Sequence, residues 1–372
     1  MSEAPLRILH TESSLGWGGQ EIRVLTEAAG VARRGHQVLL AAPREARIYT
    51  EAARFGVEAL ALPIARKNLR GVLAMRRVLA SRAIDVVNTH SSTDSWLTAL
   101  AARMVERPPA IVRTRHISAP VPRNRATRWL YGSATDHIVT TGERLRAQVV
   151  DESGVAATRV VSIPTGIDLE RFRPGDRAQA RRELGLAPDA MLIGIVATLR
   201  SWKGHRYLLD AFAALRRPGV RLVIVGDGPQ REALGAQVDR LGIGERVLFA
   251  GNRDDVAPWM RAFDIFCLPS YANEGVPQSL MQAMACALPV VTTAVGSIPE
   301  IVTDGINGII VPTQDARALQ LVLESLLEEA PRRAALGSRA LADARERFGA
   351  QRMVERMIGV FRDAAAARPR RG

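Results

Sequence analysis

Short, unbroken runs of Val, Ile and Leu recur along the whole chain, each followed by a stretch that reads as a helix. In the first half the runs are LRILHT, HQVLLAAP, VEALALP, IDVVNTH, AIVRTRH, HIVTT and RVVSIPTG. In the second half they are MLIGIVATL, VRLVIVGDG, RVLFAGN, AFDIFCLPS, PVVTTAVG and NGIIVPT. A strand without an alternating polar face must be covered on both sides, as in a parallel sheet sandwiched between helices. Strand and helix in alternation are the mark of βαβ units.

At 372 residues the chain exceeds one small core and calls for two domains. The segment 168–190, DLERFRPGDRAQARRELGLAPDA, is polar, carries two prolines and precedes a fresh apolar run at Met191. The expected division is a Rossmann-like domain over residues 1–170 and a second over 185–350. Residues 351–372 would be a C-terminal helix, packing back on the first domain, and a basic tail. The segment 331–367 reads as one helical pattern, with Pro331 suited to a first turn. Two such doubly wound domains facing a central cleft would place their strand ends, where open α/β sheets bind ligands, around it.

The hydrophobic share of 47% and charged share of 24% are those of a globular protein. No stretch offers the roughly 20 apolar residues that cross a bilayer. The opening MSEAPLRILHTE has no basic segment followed by an apolar core, so a cytoplasmic location is expected. Cys267 and Cys286 sit in apolar sequence without metal-ligand spacing and read as small core residues rather than a disulfide. Lysine and arginine exceed acidic residues by 51 − 38 = 13, which favours polyanionic partners. No nucleic-acid-binding motif accompanies the charge, so nucleic acid is not expected.

Three constellations at strand ends could carry chemistry. HTESSLGWGGQEIRVL places Gly16, Gly18 and Gly19 between a strand and a helix, serving either a tight turn or a loop that meets an anion. IGIVATLRSWKGH places Arg200, Lys203 and Gly204 at a helix start; these are either surface cations or groups that neutralise a leaving diphosphate. In DIFCLPSYANEGVPQSLMQAMACALPVVTT a loop with Glu274, Gly275 and Val276 leads into a helix over 278–287. Glu274 either caps that helix or accepts hydroxyl hydrogens from a polyol whose phosphate meets the helix N-terminus.

In combination these segments resemble the retaining glycosyltransferases of family four, the glycosyl transferases group 1, which share the GT-B fold. The resemblance rests on the GGQE loop, VVSIPTGIDLERFRP, KGH, VIVGDGP, VLFAGN and PSYANEGVPQSLMQAMACALPVVTTAVGSIPEIV, in order over about 10–312. It implies transfer of a hexose-like sugar from a UDP- or GDP-sugar to a glycan or glycolipid, in cell-surface polysaccharide or lipopolysaccharide synthesis. It implies retained configuration. No acidic metal-binding cluster stands out near the donor loop, so no metal and no cofactor are expected. By the same resemblance Glu274 contacts the transferred sugar and Lys203 the diphosphate, with Arg200 standing in for a family arginine whose aligned place holds Thr198. Gly275, Val276 and Ser279 would face sugar and phosphates, Gly18 and Gly19 the diphosphate, and Asn252 the nucleobase. The second glutamate of the family's pair is Gln282 here; it keeps a carbonyl for the ribose but no charge. His116 would line the reaction centre, and His90, at another strand end, would contact acceptor.

Two arginine-rich stretches add a surface expectation. Leu69, Val72 and Leu73 interleave with Arg70, Arg76 and Arg77, while Arg113, Arg115, Arg123, Arg125 and Arg128 accompany Trp129 and Tyr131. These are either solvated faces or a peripheral contact with anionic lipid on the cytoplasmic face of the inner membrane. Two other functions remain open at this point: a non-catalytic sugar-nucleotide-binding scaffold, and a sugar-nucleotide epimerase on the same fold.

Overall fold

The computed structural model describes residues 4–117 and 119–368. The chain divides into two compact units, residues 1–166 with 350–372, and residues 167–349.

The first unit holds seven parallel strands: β1 (Arg7–Thr11), β2 (Gln37–Ala42), β3 (Glu58–Ala61), β4 (Val86–Thr89), β5 (Ala110–Arg115), β6 (His137–Thr140) and β7 (Val160–Ser162). Their order is β3-β2-β1-β4-β5-β6-β7. The second holds six: β8 (Met191–Val196), β9 (Val220–Val225), β10 (Val247–Gly251), β11 (Ile265–Leu268), β12 (Val290–Thr293) and β13 (Ile309–Val311). Their order is β10-β9-β8-β11-β12-β13. Every apolar run of the sequence is a strand; β4, β11 and β12, inside the sheets, are buried at every position, whereas the edge strands β3 and β10 are largely half-buried.

Strand order reverses between β1 and β4 in the first unit, and between β8 and β11 in the second. Successive crossovers then leave to opposite faces, opening a crevice at the strand carboxyl ends. The candidate chemistry of each unit lies at that point.

The C-terminal segment is not one helix. It breaks at Phe348 and Gly349 into helices Ala330–Arg347 and Ala350–Ala366, the first in the second unit and the other in the first. Met353, Val354, Met357, Ile358 and Phe361 of the last helix are buried with Ile8, Val31, Val86 and Val112. Of the expected basic tail, Arg368 pairs with Asp136 at 3.0 Å, and residues 369–372 lie outside the described residues. Cys267 and Cys286 are free and buried, and burial pushes the Cys286 thiol up to about 12.

The arginine-rich stretches divide. On the Leu69–Ser81 helix Leu69 and Leu73 are exposed, with Val72 buried beneath. In the other stretch Arg113 is buried, its guanidinium 4.3 Å from the centre of the Tyr131 ring, and Arg115 donates to the Tyr131 hydroxyl at 2.7 Å. These two arginines serve the interior, which corrects their reading as part of one basic surface. Among the described residues no helix is long and apolar enough to cross a membrane.

Candidate active site

In the second unit three loops converge at the reversal of strand order. After β8 the chain makes a tight turn, Ser201–Lys203, and enters the helix His205–Ala214 through Gly204 at φ 76°. A Cβ at Gly204 would stand 1.9 Å from the Pro269 carbonyl oxygen, so only glycine lets this turn press against the end of β11. The Tyr271 N–H donates to the Trp202 carbonyl at 2.8 Å and ties the two loops. That contact aims Lys203 at Glu274, with Nζ 2.6 Å from Oε1. Ser270 Oγ donates to the same carboxylate oxygen at 2.6 Å. The loop after β12 braces the third side: a Cβ at Gly296, φ 58°, would lie 1.9 Å from the Glu274 carbonyl oxygen.

Glu274 is buried and does not cap the following helix. The helix Gln278–Ala285 has Pro277 at its N-cap, a residue whose side chain offers its first N–H groups no acceptor. A buried carboxylate, a cation and an uncapped helix start thus lie side by side. The carboxylate can accept from sugar hydroxyls, and the cation and helix N-terminus can take a diphosphate.

The remaining second-unit residues fall around this pair. Arg200 is exposed, with its guanidinium 5.6 Å from the Trp202 ring centre; its carbonyl accepts from the Lys203 N–H at 3.1 Å, but among the described residues its side chain is not joined to Lys203 or Glu274. The Val276 side chain is core, so only its backbone can face a ligand. Gly275 accepts from the Ser297 N–H at 3.3 Å, and Ser279 and Gln282 are half-buried. The Gln282 carbonyl accepts from the Cys286 N–H at 3.1 Å, and its side chain makes no hydrogen bond among the described residues. Asn252 is exposed after β10, two strands from β8 and so about 10 Å across the sheet.

The first unit brings together more than its sequence suggested. His10 is the penultimate residue of β1, His90 follows β4 and His116 follows β5, and the sheet order makes these three strand ends adjacent. His10 Nδ1 lies 3.1 Å from His90 Nε2, and His90 Nδ1 lies 3.0 Å from His116 Nε2. Burial drives the His10 pKa down to about 3 and those of His90 and His116 well below the ordinary value. Neighbouring charge adds to this, including the buried Arg23 beside His90 and His116.

An acidic pair supports the column. Asp94 accepts from Thr11 Oγ1 at 2.7 Å and from the backbone N–H groups of His90 and Ser91 at 2.9 Å each. Glu12 accepts from Gln20, Ser14 N–H and Ser91 Oγ. Burial raises Glu12 to about 7, with Asp94 adding to the rise, and raises Asp94 to about 6. Gly18 and Gly19 open the Gly19–Ala32 helix, whose N-cap has no side-chain bond. The nearest atom to a Cβ placed on Gly18 is 3.9 Å away, so the protein's own packing does not demand glycine there. Among the described residues no group of three or more His, Cys, Asp or Glu side chains could hold a metal ion; the histidine nitrogens face one another.

Residues 190–329 match the model for glycosyl transferases group 1, and residues 17–171 that for glycosyltransferase family 4. A D-inositol 3-phosphate glycosyltransferase of Stackebrandtia nassauensis is 32% identical over 331 residues, 81% of this chain and 74% of that protein. The chain belongs to this glycosyltransferase family. The family member of the same name from Mycobacterium marinum is 33% identical over 238 residues, and there the match spans only half of the relative's length. Among solved structures, Anabaena HepE in complex with UDP and glucose superposes with a TM-score of 0.84 at 21% identity, covering 96% of this chain and 100% of that one. Sucrose-phosphate synthase from Thermosynechococcus elongatus gives 0.83 at 22% identity, with 97% and 100% covered. The fold is therefore the GT-B fold of these glycosyltransferases.

Proposed function

We propose that the protein transfers a hexose-like sugar, with retained anomeric configuration, from a UDP- or GDP-sugar to a hydroxyl of a glycan or glycolipid. The observation that carries this reading is the pairing of Lys203 with buried Glu274 beside the uncapped Gln278–Ala285 helix. On binding, Glu274 exchanges Lys203 and Ser270 for sugar hydroxyls, and Lys203 turns to the diphosphate. The charge of the leaving diphosphate is met by Lys203, Arg200 and the helix N-terminus, so the reading requires no metal. Gly275, Val276 and Ser279 contribute backbone or hydroxyl donors, Gln282 accepts from the ribose and Asn252 meets the base. In the first unit Gly18 and Gly19 serve the diphosphate, His116 touches sugar or acceptor and His90 supports the acceptor.

The acceptor is of the kind used in cell-surface polysaccharide or lipopolysaccharide synthesis. The name of the actinobacterial relatives adds an inositol phosphate, an anionic polyol that suits a protein of net charge +13. The exposed Leu69 and Leu73 beside Arg70 and Arg77 would allow peripheral contact with anionic lipid at the cytoplasmic face of the membrane. The test is nucleoside diphosphate release from a panel of UDP- and GDP-sugars, with and without acceptors and with EDTA. Wild type turns over one donor, more quickly with acceptor, and EDTA changes nothing; Glu274→Ala and Lys203→Ala abolish turnover. A donor bound but never released as product would favour a scaffold, and an altered sugar without acceptor an epimerase.

A further inference from the structure

His10 is a buried residue with a defined contact and no role in the reading above. Its Nδ1 meets His90, while its Nε2 is buried with no hydrogen-bond partner among the described residues; the Phe361 ring lies edge-on to it, ring centres 6.1 Å apart. The three imidazoles are stacked or tilted with centres 5.4 Å and 5.3 Å apart.

Proton counting restricts what this column can do. Each N···N contact of about 3 Å holds one proton, because two lone pairs would repel there and two N–H groups would collide. Three neutral rings carry three protons. Two fill the contacts, and the third sits at one end, on His10 Nε2 or on His116 Nδ1. An N–H at the inner end would be a buried donor without an acceptor, and orphaned buried N–H groups are rare. His116 is only half-buried, and its Nδ1 makes no hydrogen bond among the described residues. The third proton therefore belongs at the outer end, where water or a ligand oxygen can accept it.

We propose that His10 and His90 are positioning residues that lock His116 as its Nδ1–H tautomer, so that it donates to an oxygen of the transferred sugar or acceptor and cannot take a proton. The inference rests on the transferase reading for its consequence in catalysis. All three rings share the Nδ1–H form, and the lone pair of His116 Nε2 is engaged by His90. The column also ends at an unpartnered nitrogen, so it is not a proton relay. In the transfer step the acceptor oxygen bonds to the anomeric carbon and the bond from that carbon to phosphate oxygen breaks. The hydroxyl proton then leaves on the departing phosphate rather than on a histidine.

The experiment is 15N NMR of histidine-labelled full-length protein, read beside steady-state kinetics, for wild type, His10→Phe and His10→Asn. Wild type shows three neutral Nδ1–H rings that remain neutral at pH 5. His10→Phe removes the donor that holds the His90 ring in line, so His90 turns out of the column and leaves His116 Nε2 free to carry the proton; the tautomers of both rings mix and kcat falls by about tenfold, the scale of one hydrogen bond, with donor KM unchanged. His10→Asn, whose amide nitrogen falls near the position of Nδ1, restores the single tautomer and most of kcat. It also serves if the phenylalanine variant does not fold. A charged or Nε2–H ring in the wild-type column overturns the proposal, as does an unchanged His116 in His10→Phe. Protein with the expected tautomers but no sugar transfer would instead sink the transferase reading and leave the tautomer lock standing.

Discussion

Removing Lys203 leaves the Glu274 carboxylate buried with Ser270 as its one remaining side-chain partner, and stability should register the loss. At 2.6 Å, with an effective dielectric constant of about 20, the attraction between the two charges is on the order of 6 kcal/mol. Desolvation of two ions offsets most of it, since the side chains are only 19% and 5% exposed. The pair as a whole is then worth little, whereas breaking it from one side costs about 3–5 kcal/mol. Lys203→Met should destabilise the second unit by about 3 kcal/mol. Glu274→Gln should cost roughly 1–2 kcal/mol, because the lysine can turn to water. The double variant should fall within about 1 kcal/mol of wild type, a coupling of about 3–5 kcal/mol. The assay is the urea dependence of amide exchange in β8 and β11, which reports this unit rather than the whole chain. Single costs below about 1 kcal/mol that add within about 0.5 kcal/mol would show that Lys203 and Glu274 are not coupled.

Gly296→Ala must place a Cβ 1.9 Å from the Glu274 carbonyl oxygen at φ 58°. It should weaken UDP or GDP binding by at least about tenfold while the Leu6–Ile8 end of the first unit exchanges as in wild type; unchanged nucleotide affinity would contradict the bracing role of that loop. His205 has both ring nitrogens unpartnered, and burial, with Lys203 adding, lowers its pKa from 6.5 to about 3. Its folded-state pKa is depressed, so the native unit binds fewer protons than the unfolded chain. Stability is then lost as pH falls from 6.5 toward 3, by about 1.4 kcal/mol per pH unit. Between pH 6.5 and 5, His205→Leu should lose about 2 kcal/mol less than wild type in urea unfolding; equal losses would show that the native ring is already protonated.

Most of the fold is legible because uninterrupted apolar runs have one economical solution, a parallel sheet covered on both faces. The Lys203–Glu274 site is legible by motif, since both residues flank the β8 and β11 ends and a doubly wound order makes those ends neighbours. The histidine column is not. His10, His90 and His116 are far apart in sequence, and nothing local distinguishes His10 from an ordinary buried histidine. The available signal was positional: three apolar runs, RILH, VVNTH and VRTRH, each end in histidine, and β1, β4 and β5 are adjacent in the sheet. Glu12 and Asp94 escaped for the same reason, since burial and the partners that raise their pKa come from separate strand ends. The pairing of Arg113 with Tyr131 was hidden because charge in sequence does not reveal which side of a strand an arginine takes. The break at Phe348 and Gly349 lies inside a continuous helical periodicity, where only packing in two different units separates the halves.

Whether the second unit holds the nucleotide at the β8–β11 reversal can be read from amide exchange of the full-length protein with saturating UDP or GDP. Bound nucleotide should slow exchange only at residues 198–204, 270–282 and 294–297 in that unit, and Lys203→Ala should lose this protection. Exchange at those segments unaffected by either nucleotide, at concentrations where binding is saturated by calorimetry, would contradict that placement.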